Sequence, residues 1–127
     1  MKYLTTKDIL LLHDLAIDNF GGSHGLRDLG LLESAVARPQ ASFGGKDLYP
    51  TLFLKTAALV HPLLLNHQFV DGNKRTAMFS LLTFIELNGY EFIAKQKKVV
   101  ETAMWIENKK PEIEEIAAWL KKHSKKK

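Results

Sequence analysis

The chain has 127 residues, 46% hydrophobic and 25% charged, the balance of a globular domain long enough to bury a core without cross-links. It contains no cysteine, which excludes disulfides, thiolate metal sites and cysteine nucleophiles. The formal net charge is +4, but Lys121, Lys122, Lys125, Lys126 and Lys127 supply +5; the remaining 13 basic and 14 acidic side chains nearly cancel, which argues against a dedicated nucleic-acid surface.

The pattern is helical almost throughout, and the expected fold class is all-α. A first helix is expected from Thr6 to Asn19, opened by a Thr5/Asp8 capping box and stopped by Gly21-Gly22. Asp28 caps a short second helix, Gly30 to Arg38, which Pro39 closes. Residues 40–50 hold two glycines and end in proline, the composition of a loop or short hairpin. A third helix follows from Thr51 to Leu65 and a fourth from Asn73 to Asn88, ending at Gly89. Both are apolar on nearly every face, which makes them central. Pro62 falls inside the third, so that helix either kinks there or ends early. Tyr90 to Ile93 is a candidate minor strand. Two further helices, 97–108 and 111–122, complete the bundle; the last has Pro111 in its first turn, Glu112, Glu114 and Glu115 early and lysines late, in register with the helix dipole. Residues 1–122 read as one domain, and the lysine-rich 123–127 as a disordered tail. No apolar run reaches the roughly 18 residues of a membrane span. The N-terminus lacks a signal-peptide pattern, so the expected location is cytoplasmic.

Between the two central helices lies Asn66-His67-Gln68-Phe69-Val70-Asp71-Gly72-Asn73-Lys74-Arg75. The first amides of the helix it opens lack internal acceptors and carry part of the positive dipole. Gly72 lets backbone approach closely, Asn73 can cap, and Lys74 and Arg75 add two cations where the dipole disfavours them. That arrangement makes sense if an anion binds, and phosphate is the usual one. Asp71 is the lone carboxylate in this positive ring, suited to a magnesium ion that completes its shell with phosphate oxygens and water. His67, four residues earlier, can take a proton from an attacking hydroxyl. Phe69 is expected to plug into the core and fix the loop.

His67-x-Phe69-x-Asp71-Gly72-Asn73-Lys74-Arg75-Thr76-Ala77 resembles the signature of Fic-domain proteins, in the version carried by the Doc (death-on-curing) toxins. Gly21-Gly22, Gly25-Leu26-Arg27-Asp28, Gly30-Leu31-Leu32-Glu33-Ser34-Ala35, Arg38-Pro39, Phe43-Gly44-Gly45, Asp47-Leu48-Tyr49-Pro50 and Asn88-Gly89-Tyr90 extend the likeness over most of the chain. The resemblance implies a compact bundle of about six helices. It also implies His67 as base, Asp71 as magnesium ligand, Gly72, Asn73, Lys74 and Arg75 as an anion cradle, and a flap near 41–49, including Phe43, Gly44, Gly45, Lys46 and Asp47, that aligns a target polypeptide. Most Fic proteins transfer AMP from ATP to a hydroxyl. Here Lys74 stands where AMP-transferring members usually have glycine, and Met78 where they have a second arginine for the outer phosphates. Doc toxins share both changes. The resemblance therefore implies transfer of the γ-phosphoryl of ATP to a threonine of elongation factor Tu, with AMP transfer as the alternative. Gln68 replaces the family's common proline and is expected to loosen one turn before Phe69. No self-inhibitory Ser/Thr-x-x-x-Glu-Gly/Asn helix is found, since Glu107-Asn108 has Ala103 where the hydroxyl should be. Restraint is then expected in trans, from a small antitoxin whose disordered tail folds on binding.

Two other readings compete. His13-Asp14 invites a metal phosphohydrolase with His61 or His67 recruited, but adjacent helix residues point roughly 100° apart. A non-catalytic helical binding module is the second, against which the intact His67/Asp71 pair counts. His24 and His123 are expected to be solvated, and Trp105 and Trp119 to anchor the core or a groove.

Overall fold

The structure, a computed structural model, describes residues 1–127. Six helices carry the fold: α1 (Thr6–Phe20), α2 (Leu29–Ala37), α3 (Leu52–Leu65), α4 (Asn73–Leu87), α5 (Gln96–Lys109) and α6 (Ile113–Lys122). The expected all-α bundle is what the chain forms, with two small two-stranded sheets added. Thr5 and Asp8 exchange backbone bonds as a capping box on α1, and the Asp28 side chain accepts the Leu31 amide to open α2. After α2 the chain makes one more turn of 3₁₀-helix, Arg38–Gln40, with Pro39 buried inside it, so the proline tightens the backbone where an abrupt stop was expected. Pro111 lies outside α6, whose N-cap is Glu112.

The apolar-all-round helices are central. α3 packs against α2, α4, α5 and α6, and Ala57, Ala58, Val60, Ala77 and Ile85 are fully buried along the α3 and α4 axes. α3 continues through Pro62 to Leu65. Proline removes one donor from the ladder but leaves its own carbonyl available, and here that carbonyl accepts the Asn66 amide at 3.0 Å.

Strands β1 (Ser42–Phe43) and β2 (Lys46–Asp47) form a hairpin whose tip, Gly44-Gly45, has φ of 58° and 79°. Two successive positive φ values are the requirement of a tight primed turn, and glycine meets it without a Cβ clash. Phe43 is 82% exposed on this flap. Its base is pinned from below: Lys55, 3% exposed, donates to the Pro39 carbonyl at 3.1 Å and to Asp47 at 3.3 Å.

The expectation of a disordered tail is corrected. Ser124–Lys126 form β4, antiparallel to β3 (Tyr90–Phe92), with Lys125 against Glu91 at 3.3 Å and Lys127 against Glu86 at 3.1 Å. A lysine run carries no alternating apolar signal, but β3 presents an open backbone edge and acidic neighbours that give the lysines partners. His123 is likewise not fully solvated: its ring lies against Trp119, 3.9 Å between centroids and tilted by 36°, and its Nδ1 donates to the Trp119 carbonyl at 2.9 Å. No helix is long and apolar enough to cross a membrane.

Candidate active site

The α3–α4 loop is braced from three sides. From α1, the buried His13 ring stacks on Phe69 (3.8 Å between centroids, 6° between planes), and its Nε2 donates to the Asp71 carbonyl at 2.8 Å. From the segment before α2, Leu26 bridges Phe69 in antiparallel fashion, and the Val70 amide donates to the Gly25 carbonyl at 3.0 Å. Within the loop, the Asn73 side chain both donates to and accepts from the Phe69 backbone, each at 2.9 Å. Phe69 is 2% exposed as a result.

Asn73 therefore does not cap α4. Gly72 is the N-cap, left-handed at φ 74°, and no side chain accepts the first amides of the helix. The N–H groups of Asn73, Lys74 and Arg75 meet no protein acceptor. Three free amides after a left-handed glycine make a concave anion-binding surface. A Cβ on Gly72 would lie 2.9 Å from Ile17 Cδ1, so the Ile17 side chain of α1 would have to move to admit one, in a left-handed backbone that already favours glycine.

Asp71 sits at the rim, exposed. Its carboxylate accepts the Gly72 amide at 2.8 Å on one oxygen and the Ser23 amide at 3.1 Å on the other. These bonds, Ser23 first and Gly72 next, hold its pKa below the usual carboxylate value, with the nearby His13 adding to them and desolvation opposing. The carboxylate is thus ionised at neutral pH and fixed in direction, while each oxygen keeps a lone pair for a cation. No cluster of three or more His, Asp or Glu side chains forms a ready metal cage. An ion at Asp71 would draw its remaining ligands from phosphate and water, as magnesium does.

His67, Asp71, Gly72, Asn73, Lys74 and Arg75 line one cleft of about 860 Å³, which continues between α4 and α5 over Met78, Leu82, Phe92 and Val99. One end is cationic and amide-rich; the other is apolar. Lys74 reaches across the cleft to Glu107 of α5 at 3.0 Å, so its ammonium is engaged by a carboxylate rather than poised over the free amides. The Arg75 guanidinium lies over the Phe20 ring, 4.1 Å from its centroid. Met78 is buried in the wall. The flap residues Phe43, Gly44, Gly45, Lys46 and Asp47 do not line this cleft.

Gln68 does the opposite of loosening the loop. It is fully buried, and its Nε2 donates to the Pro62 carbonyl at 2.8 Å, tying the loop to the end of α3. Sequence reasoning also missed Arg27, whose guanidinium donates to the carbonyls of His67 (2.6 Å) and Asn66 (3.0 Å), and Ser23, which aims Asp71. It set the His13-Asp14 metal pair aside but found no role for His13. His13 is spent on Phe69 and Asp71, while Asp14 faces outward to His24 at 3.5 Å, so the two are not a metal pair. His24 is exposed, as expected, and its Nε2 lies 2.8 Å from Asp18. His61 sits on the far face of α3, 3.5 Å from Arg38; burial first and the Arg38 charge second hold its pKa down.

Residues 3–85 match the model of the Fic/DOC family. Among curated proteins the chain is 48% identical over 93 residues to a protein named Toxin Doc from Mycolicibacterium smegmatis, spanning 73% of this chain and 69% of that one. It is 33% identical over 91 residues to one named Protein kinase doc from Escherichia phage P1, spanning 72% and 71%.

Proposed function

This chain belongs to the Fic/DOC family, and on that premise we propose that it is the toxin of a type II toxin–antitoxin module, acting as a protein kinase that moves the γ-phosphoryl of ATP onto a hydroxyl of an elongation factor Tu-like translation factor. The observation that carries the reading is the junction of three features in one cleft: the free amides of Asn73, Lys74 and Arg75, the exposed imidazole of His67 and the fixed carboxylate of Asp71. The names of the two relatives support a toxin and a kinase.

In this mechanism the helix N-terminus and Arg75 hold the phosphates, and His67 accepts the proton of the target hydroxyl as its oxygen attacks the γ-phosphorus. The bond to the β-phosphate oxygen breaks and ADP leaves. Asp71 is the residue that would hold magnesium, which when bound neutralises charge on the phosphate oxygens. Lys74 exchanges Glu107 for a phosphate oxygen when the nucleotide enters. Met78 supplies no cation further along the cleft, so outward-pointing phosphates find no partner there, which favours the γ over the α phosphorus as the reacting centre. The flap around Phe43 aligns the target chain, the chain acts as one Fic/Doc domain in the cytoplasm with its paired C-terminal strand included, and a small antitoxin whose tail folds on binding restrains the enzyme.

The test uses the translation factor, magnesium and ATP labelled at either the α or the γ phosphate. Label arriving from the γ position alone is expected. Label from the α position alone would instead establish AMP transfer, and no transfer, with His67→Ala equally inert, would favour a binding module.

A further inference from the structure

His67 is exposed, and its ring makes no hydrogen bond to any protein atom. Its direction is therefore set by its own backbone torsions. Those torsions are unusual: φ is +49°, one of only two non-glycine residues in the chain with positive φ. For a residue with a Cβ this left-handed conformation is strained and reverts unless its surroundings over-determine it.

The two peptide planes flanking a Cα fix its φ and ψ. The carbonyl of Asn66 belongs to the plane before His67 and the carbonyl of His67 to the plane after it. Both are held by one side chain: Arg27 Nη2 donates to Asn66 O at 3.0 Å, and Arg27 Nε to His67 O at 2.6 Å. The guanidinium is planar, so the two donors have a fixed mutual angle, which a lysine ammonium cannot supply. Arg27 is itself held at the backbone, since its amide and that of Asp28 both donate to the Gln68 carbonyl, at 2.8 and 3.0 Å. The other braces act elsewhere: Asn73 and the His13 ring on Phe69, the His13 Nε2 on Asp71, the Gln68 side chain on Pro62. No acidic side chain pairs with Arg27, which leaves its donors to the two carbonyls.

We propose that Arg27 is the positioning residue for His67: it clamps the peptides on either side of the histidine, holds it in the left-handed conformation and so aims the imidazole into the cleft. Arg27 does not line the cleft. The role rests on His67 being the base, as in the reading above.

The experiment compares the full-length wild type with Arg27→Lys and Arg27→Gln. It reads kcat, the KM for ATP, the unfolding midpoint and the imidazole nitrogen resonances of all five histidines by NMR. A misaimed base costs about 100-fold in kcat while nucleotide binding stays within about twofold, because the amides of α4 are untouched. Arg27→Lys is expected to recover only part of the loss, and the His67 resonances to shift or broaden in both variants while those of His13, His24, His61 and His123 stay in place. Unchanged His67 resonances in the folded variants would overturn the proposal, as would a lower kcat accompanied by a raised KM for ATP and a lowered unfolding midpoint, which is the mark of a general structural role. If the wild type transfers no phosphoryl group, the kinase reading falls and the His67 resonances alone decide the role of Arg27.

Discussion

Asp71 owes its low pKa chiefly to two backbone N–H groups, Ser23 and Gly72. A carboxyl whose pKa is lower folded than unfolded stabilises the fold above the unfolded value and loses that contribution as pH falls through the folded one. The wild type is therefore expected to lose stability over the acid range just below the ordinary carboxylate pKa. Asp71→Asn should flatten that part of the curve, which unfolding midpoints measured stepwise in pH will show; identical acid slopes would contradict the assignment. His67 adds chemistry without stability, since it is exposed and its ring makes no hydrogen bond to the protein. His67→Ala is expected to leave the unfolding midpoint unchanged and to cut phosphoryl transfer by about 10²–10⁴-fold, the usual worth of a general base. Gln68 is structural. Gln68→Ala removes its bond to the Pro62 carbonyl, but that carbonyl keeps the Asn66 amide, so the protein should lose roughly 0.5–1.5 kcal/mol in denaturant titrations.

At the scale of elements, the site is made where three segments meet: the end of α1 with residues 21–25, the α3–α4 loop, and the face of α5. Gly22 shows how tight the first meeting is. It has φ of +113°, and a Cβ there would stand 2.7 Å from an Asp71 carboxylate oxygen. Gly22→Ala should thus displace the carboxylate and lower activity at limiting magnesium more than at saturating magnesium, as initial rates across a magnesium titration will record. The α4–α5 meeting is an ion pair, Lys74 with Glu107, that the nucleotide must break. Both partners are partly exposed, which limits the pair to about 1 kcal/mol, so Glu107→Gln is expected to tighten ATP binding by up to about fivefold in calorimetry. A weaker affinity would mean that Glu107 assists the ligand. None of these meetings was legible in the chain. The motif named His67, Asp71 and the helix N-terminus because those residues are contiguous. Arg27, His13 and Ser23 act across tens of residues of sequence, and only packing brings them to the loop.

Across the whole molecule, six helices and their order followed from periodicity, caps and glycine or proline stops, because those signals are local. Strand β3 was legible too, in the run Tyr90 to Ile93, but its partner β4 was not, because that strand's stability comes from an edge and from acidic partners far away in sequence. The β3–β4 sheet closes the chain back onto the region whose Phe92 lines the cleft. The proposed kinase uses this one cleft to move the outermost phosphoryl group of ATP to a protein hydroxyl. The most direct measurement is the nucleotide by-product formed with magnesium, ATP and the translation factor. ADP is expected in step with the modified factor, and none with His67→Ala; pyrophosphate released in step with modification would overturn the kinase assignment.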